Sequence, residues 1–132
     1  IIISPSNEKF IFKDDKCLLC KSDINNDEFD ILLFVRYDIE EISIPSNIKI
    51  IGSFSFEYSS IINIFIPSNV TKICKSAFSY CSKLRNVEIP TNSNLQTIER
   101  NAFEYSKIEE ISIPSKLIKI CENAYSHIFL LF

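Results

Sequence analysis

Apolar and polar residues alternate just ahead of four prolines. Ile42-Ser43-Ile44-Pro45, Ile64-Phe65-Ile66-Pro67, Val87-Glu88-Ile89-Pro90 and Ile111-Ser112-Ile113-Pro114 recur 22, 23 and 24 residues apart. The period-2 alternation predicts short strands with one face turned inward. Proline ends each because it has no N–H to offer a ladder. A Ser/Thr/Asn turn follows, then an apolar pair three residues apart: Ile48/Ile51, Val70/Ile73, Leu95/Ile98 and Leu117/Ile120. Next comes a small residue and an aromatic: Ser55-Phe56, Ala77-Phe78, Ala102-Phe103 and Ala124-Tyr125. Another apolar residue, Ile39, Ile61, Leu84 or Ile108, lies three before each strand.

The unequal spacings arise where residues are inserted. The third unit has two extra residues between Pro90 and Leu95, and the second has one between Phe78 and Leu84. Loops absorb such insertions while inward positions stay aligned. No unit can bury its own Ile, Val and Phe, so units must stack, with parallel strands roughly 4.8 Å apart. The small residue suits a tight turn where the next coil passes close, and the aromatic fills the coil interior.

The string IPSNVTKICKSAFSYCSKL, residues 66–84, resembles the BspA-type leucine-rich repeat, a likeness that covers about 38–125. Ser55 replaces the usual Ala, and only Cys81 supplies the family's cysteine before a leucine. The resemblance implies a leucine-rich-repeat solenoid of the L-domain-like α/β class. It would have a parallel β-sheet on one face, short strands and helical turns on the other, and an N-terminal hairpin-bearing coil. It further implies adhesion or protein–protein contact, as in surface proteins of bacteria and parasitic protists, and no catalysis. The Ile/Asn/Lys-rich composition is closer to the protist branch.

Residues 1–37 depart from the period. Phe10–Leu19 reads as a hairpin around a Lys13-Asp14-Asp15-Lys16 turn, followed by a polar stretch over 21–30 and a strand near Ile31–Val35. The expected organisation is one solenoid domain over 1–132, with 1–37 an elongated hairpin-bearing unit and 38–132 four regular repeats of 22–24 residues. The apolar tail His127–Phe132 would supply the leucine position of another unit. The chain starts at Ile1 and contains no Met, so it reads as a piece of a longer protein, with any signal peptide or anchor outside it.

Composition narrows the function. Hydrophobic content of 46% argues against disorder. Net charge is −3 and the isoelectric point about 5.2, with no basic run to favour nucleic acid or an anionic membrane. The longest apolar runs are too short to span a bilayer. With Gly52 the sole glycine, a Gly-rich phosphate loop cannot form. His127 has no Ser or Cys nucleophile pattern beside it, and the chain is not read as an enzyme.

Five cysteines, Cys17, Cys20, Cys74, Cys81 and Cys121, cannot complete a disulfide framework. Cys17-x-x-Cys20 lacks the second ligand pair that zinc needs, and residues three apart on a strand face opposite ways. Cys74 and Cys121 share a repeat position but lie two coils apart, roughly 9–10 Å, beyond disulfide reach. Cys81 reads as a small packing residue. Asp23-x-Asn25-x-Asp27 opens like a calcium loop, but Glu28 and Phe34 stand where Gly and Glu are needed, so a solvated loop is expected. No metal or cofactor is expected.

The free positions are outward. Three columns run across the strands: Glu40, Ile62, Arg85, Glu109; Glu41, Asn63, Asn86, Glu110; and Ser43, Phe65, Glu88, Ser112. Ile62 and Phe65 would form an apolar spot with carboxylates on neighbouring strands, the make-up of a protein-contact site. Asn69-Val70-Thr71 is a glycosylation sequon. Two settings fit: a cell-surface or secreted binding module meeting a protein partner or host-cell ligand, and an intracellular scaffold, where unpaired cysteines are at home.

Overall fold

A computed structural model describes residues 1–125 and the backbone of 129–131. Three N-terminal strands come first: β1 (Phe10–Lys13), β2 (Cys17–Cys20) and β3 (Ile31–Val35). Each later coil then adds strands in turn: β4 (Ile50–Ile51), β5 (Asn63–Phe65), β6 (Lys72–Ile73), β7 (Asn86–Glu88), β8 (Thr97–Ile98), β9 (Glu110–Ser112), β10 (Lys119–Ile120) and β11 (Phe129–Leu131). The units stack as coils whose inward residues form one continuous core.

The hairpin read from the sequence is present. β1 and β2 pair antiparallel, and Asp14 and Asp15 both take positive φ (52° and 54°). Lys13 is paired with Cys17, so Asp14, Asp15 and Lys16 form the loop, and the Lys16 amide donates to Lys13 O at 2.9 Å to close a turn around the two aspartates. Aspartate tolerates the left-handed region better than most residues. β2 pairs antiparallel with β3. β3 then runs parallel to β4, with Ile31 opposite Ile50 and Leu32 opposite Ile51. That pairing joins the irregular N-terminal unit to the regular stack.

The continuous sheet is not where the alternation pointed. It has seven strands in the order β1-β2-β3-β4-β6-β8-β10, so its parallel part is built at the second apolar pair, with Ile51, Ile73 and Ile98 in register. The strands before the prolines form two separate pairs, β5-β7 and β9-β11. Ile42–Ile44, expected as a strand, joins no ladder.

The expected helical turns do not form among the described residues, so the α/β assignment is corrected to an all-β coil of strands and turns. The reason lies in the backbone after each core isoleucine. Phe54, Ser76, Asn101 and Asn123 take positive φ, and so, four residues on, do Tyr58, Tyr80 and Tyr105. A left-handed residue at every fourth place prevents the repeated N–H to C=O(i−4) bond of a helix. Alternate amides donate to the next coil instead: Phe54 to Lys75 O (3.1 Å), Phe56 to Ala77 O (2.8 Å) and Tyr58 to Ser79 O (3.2 Å). The amides between them close four-residue turns, Ser55 to Gly52 O, Glu57 to Phe54 O and Ser59 to Phe56 O.

Inside the coils the aromatics stack in a column. Phe56, Phe78, Phe103 and Tyr125 follow one another with ring centroids 4.6, 5.1 and 5.3 Å apart. The three phenylalanines are fully buried. Ala77, Ala102 and Ala124 are buried as well, and each carbonyl accepts the amide of the aromatic one coil earlier. The small residue is therefore required by the close approach of successive coils.

Candidate protein-contact face

β5, β7 and β9 share one burial pattern, with the central residue inside and the two flanking residues outside. Ile64, Val87 and Ile111 are the inward anchors. Alternation then forces Asn63 and Phe65, Asn86 and Glu88, and Glu110 and Ser112 outward. Glu40, Glu41, Ser43, Ile62, Arg85 and Glu109 are also exposed. Every residue of the three columns thus lies on the surface.

Ile62 is 38% and Phe65 49% exposed. The surround is partly engaged. Asn86 Nδ2 donates to Asn63 Oδ1 at 2.6 Å, and Lys83 Nζ lies 3.5 Å from Glu40 Oε1 across two coils. Among the described residues, Glu88, Glu109, Glu110 and Arg85 make no ion pair. A cleft of about 260 Å³ opens between β7 and β9, lined by Val87, Glu88, Ile89, Glu110, Ile111 and Ser112 among others.

Asn69 is exposed, and its Nδ2 donates to Ser46 O at 2.9 Å. Asn47, at the same place in the preceding unit, makes the same kind of bond to Phe29 O at 2.7 Å. The asparagine of the turn thereby ties each of these two coils to the one before it.

The five cysteines are all unpaired. Cys17 packs in the core. Cys20 is also buried, but outside that cluster, since three places along β2 puts it on the face opposite Cys17. Cys81 has no exposed surface, and its Sγ lies 3.0 Å from Phe56 O as a donor. Burial pushes its thiol up to about 11. Between Cys74 and Cys121 stands Glu99, bonded to Lys72 Nζ (2.7 Å) and to the Lys75 amide (2.9 Å). The Lys72 bond outweighs partial burial and holds the Glu99 carboxyl below its usual range.

In the polar loop, Asp23 Oδ1 accepts from both the amide and the side chain of Asn25. Among the described residues, no three His, Cys, Asp or Glu side chains form a group that could hold a metal ion. His127, and the leucine position expected in the tail, lie outside the described residues. The tail's backbone at β11 pairs parallel with β9, Leu130 opposite Ile111.

One surface feature was missed. Tyr58, Tyr80 and Tyr105 stack in an exposed column, with ring centroids 4.9 and 4.7 Å apart. The signal was in the sequence, since each tyrosine stands two residues after the core aromatic.

A family model described as the BspA type leucine-rich repeat region matches residues 10–130 in six copies. Among solved structures, the chain is similar to the pneumococcal vaccine antigen PcpA, with a TM-score of 0.80 and 23% identity. That alignment covers 95% of this chain and 30% of the antigen, so the chain spans under a third of it. It is also similar to a leucine-rich repeat protein from Bacteroides capillosus ATCC 29799, with a TM-score of 0.58 and 22% identity over 92% of this chain and 91% of that one. At these identities the likeness establishes the fold. No curated protein sequence matches the chain.

Proposed function

This chain belongs to the BspA-type leucine-rich-repeat family, and from that membership we propose that it is a non-catalytic protein-binding module of a cell-surface or secreted protein. It serves adhesion or protein–protein contact. All of 1–132 is read as one solenoid domain, with 1–37 the elongated unit and 38–132 the regular repeats.

The observation that carries the reading is the pair Ile62 and Phe65. Both stand exposed on one coil, while the alternating partner Ile64 is buried. Fold stability does not need Phe65 outside, so its place there is free to serve contact. Glu40, Glu41, Asn63, Arg85, Asn86, Glu88, Glu109 and Glu110 form the polar surround. The likeness to a vaccine antigen supports an exposed setting. Asn69 remains a candidate glycosylation site in such a setting, although its amide then keeps only one N–H for Ser46. Among the described residues no helix is long and apolar enough to cross a membrane, and the proposed partner is a protein or host-cell surface ligand, not nucleic acid.

The test is cell or partner binding by the wild-type chain and a Phe65→Ser variant. The variant should lose binding at least about tenfold, while its unfolding free energy moves by no more than about 0.5 kcal/mol, as for an exposed site. Unchanged binding would remove Phe65 from the contact face.

A second reading is an intracellular leucine-rich-repeat scaffold or regulatory protein. The five unpaired cysteines favour it, because oxidising compartments tend to pair such thiols.

A further inference from the structure

The outer face is interrupted between the third and fourth regular coils. β5 and β7 form one pair and β9 and β11 another, and among the described residues no hydrogen bond joins β7 to β9. The amide of Asn86 bonds back to Ile62 O, and Glu88 O accepts from Ile66. In a parallel ladder adjoining residues point to opposite sides. The N–H and C=O of Val87 are therefore turned toward β9, where they meet no backbone partner.

The gap is held open to a fixed width. On one flank Lys107 donates to Leu84 O at 2.9 Å, and on the other Ile118 donates to Gln96 O and Cys121 to Ile98 O, each at 2.9 Å. A further strand would need the two coils to part by roughly another 4.8 Å, which these bonds oppose. The cleft of about 260 Å³ suits a side chain instead. Its position coincides with the two-residue insertion between Pro90 and Leu95, which lengthens the third coil.

The chemistry of the walls selects the occupant. Glu88 stands on one wall and Glu110 on the other, both exposed and neither in an ion pair among the described residues. Glu109 adds a third unpaired carboxylate beside them. Carboxylates on both sides of a slot, with a strand-edge carbonyl between them, match a planar group carrying several N–H donors.

We propose that the cleft between β7 and β9 receives an arginine side chain of the protein partner, its guanidinium lying between the Glu88 and Glu110 carboxylates and donating to Val87 O. The inference rests on the reading of this face as a contact surface and adds the chemistry of what it contacts. An ammonium should bind less well, since it has no planar fork to span two walls.

The test is a backbone-amide NMR titration of the full chain with the peptide acetyl-Gly-Arg-Gly-amide, and with lysine and citrulline versions. Saturable shifts at Val87, Glu110 and Ser112 are expected with arginine. Citrulline, neutral and of the same shape, should bind at least about tenfold more weakly. The Glu88→Gln/Glu110→Gln chain should lose the arginine response with its other amides unmoved. No saturable shift, an equal response to citrulline, or an unaltered response in the double variant overturns the inference. If the arginine peptide fails while binding still depends on Phe65, the inference falls and the contact-face reading stands. If the peptide binds as expected while no Phe65-dependent partner binding exists, the cleft is upheld and the wider reading falls.

Discussion

Gly52 shows how one residue can carry a constraint set by its neighbour. Its amide donates to Leu32 O at 2.8 Å, and a Cβ built on it would sit 2.8 Å from that same backbone oxygen. The equivalent places in later coils hold Cys74, Glu99 and Cys121, each with the corresponding bond at 2.9 Å. Against β3 the carbonyl of Leu32 thus stands where a side chain would begin, whereas the later coils hold one at the same place. Gly52→Ala should therefore destabilise the chain by about 1–3 kcal/mol, as overpacking does, and Cys74→Ala should cost much less. Urea unfolding of both variants checks this, and an unmoved midpoint for Gly52→Ala would mean that β3 yields. The glycine is plain in the sequence, but its reason is not, since nothing local marks where β3 returns.

At the scale of the elements, the alternating strings were legible and their pairing was not. Val87-x-Ile89 announces a strand with one inward face, and that face is buried. Whether two such strands hydrogen-bond is not written in either string: Ile42–Ile44 and β5 form no ladder, whereas β5 and β7 do, across the coil that holds the one-residue insertion. The second apolar pair carried the opposite ambiguity: three-residue spacing suits a helical turn as well as a coil corner. Cross-coil bonds decide it, since residues such as Tyr58 and Tyr80 accept a left-handed backbone that their side chains do not favour. One consequence can be measured by hydrogen exchange. The Ile64 amide lies in the β5-β7 ladder, whereas the Val87 amide faces the open cleft. Val87 should exchange at least about tenfold faster than Ile64, and equal protection would mean that β7 and β9 pair in solution.

For the whole molecule, the junction between the irregular unit and the regular stack rests on Asp30. This residue is buried, and its carboxylate accepts from the Ser22 amide (2.7 Å) and hydroxyl (2.6 Å), with Lys49 Nζ at 4.0 Å. Its own carbonyl accepts the amides of Lys49 and Ile50. Burial alone would raise the carboxyl, but the Ser22 bonds and Lys49 outweigh it and hold the group below its ordinary value of 3.8. The ionised form thus stabilises the fold above that range, and the contribution is lost as pH falls through about 4 and lower. Wild type should exceed Asp30→Asn in unfolding midpoint by most near about pH 6, and the difference should narrow toward about pH 3. A gap that does not change with pH would mean that Asp30 acts as a neutral hydrogen-bonding group.

The sequence by itself determined that the chain repeats, which residues of the first three regular units face inward, where insertions fall and which columns face outward. Those follow from burial of apolar side chains at a fixed period, a property each unit carries in its own string. In the fourth unit Ile120, expected inward with Leu117, is 39% exposed. The hairpin was legible too, because its turn residues tolerate the backbone they adopt. Only the tertiary structure decided which strands pair, that turns replace helices, that tyrosines form an outer column, and that the outer sheet breaks between β7 and β9. Each of these depends on the distance between coils, and that distance is set by backbone hydrogen bonds between residues more than twenty positions apart.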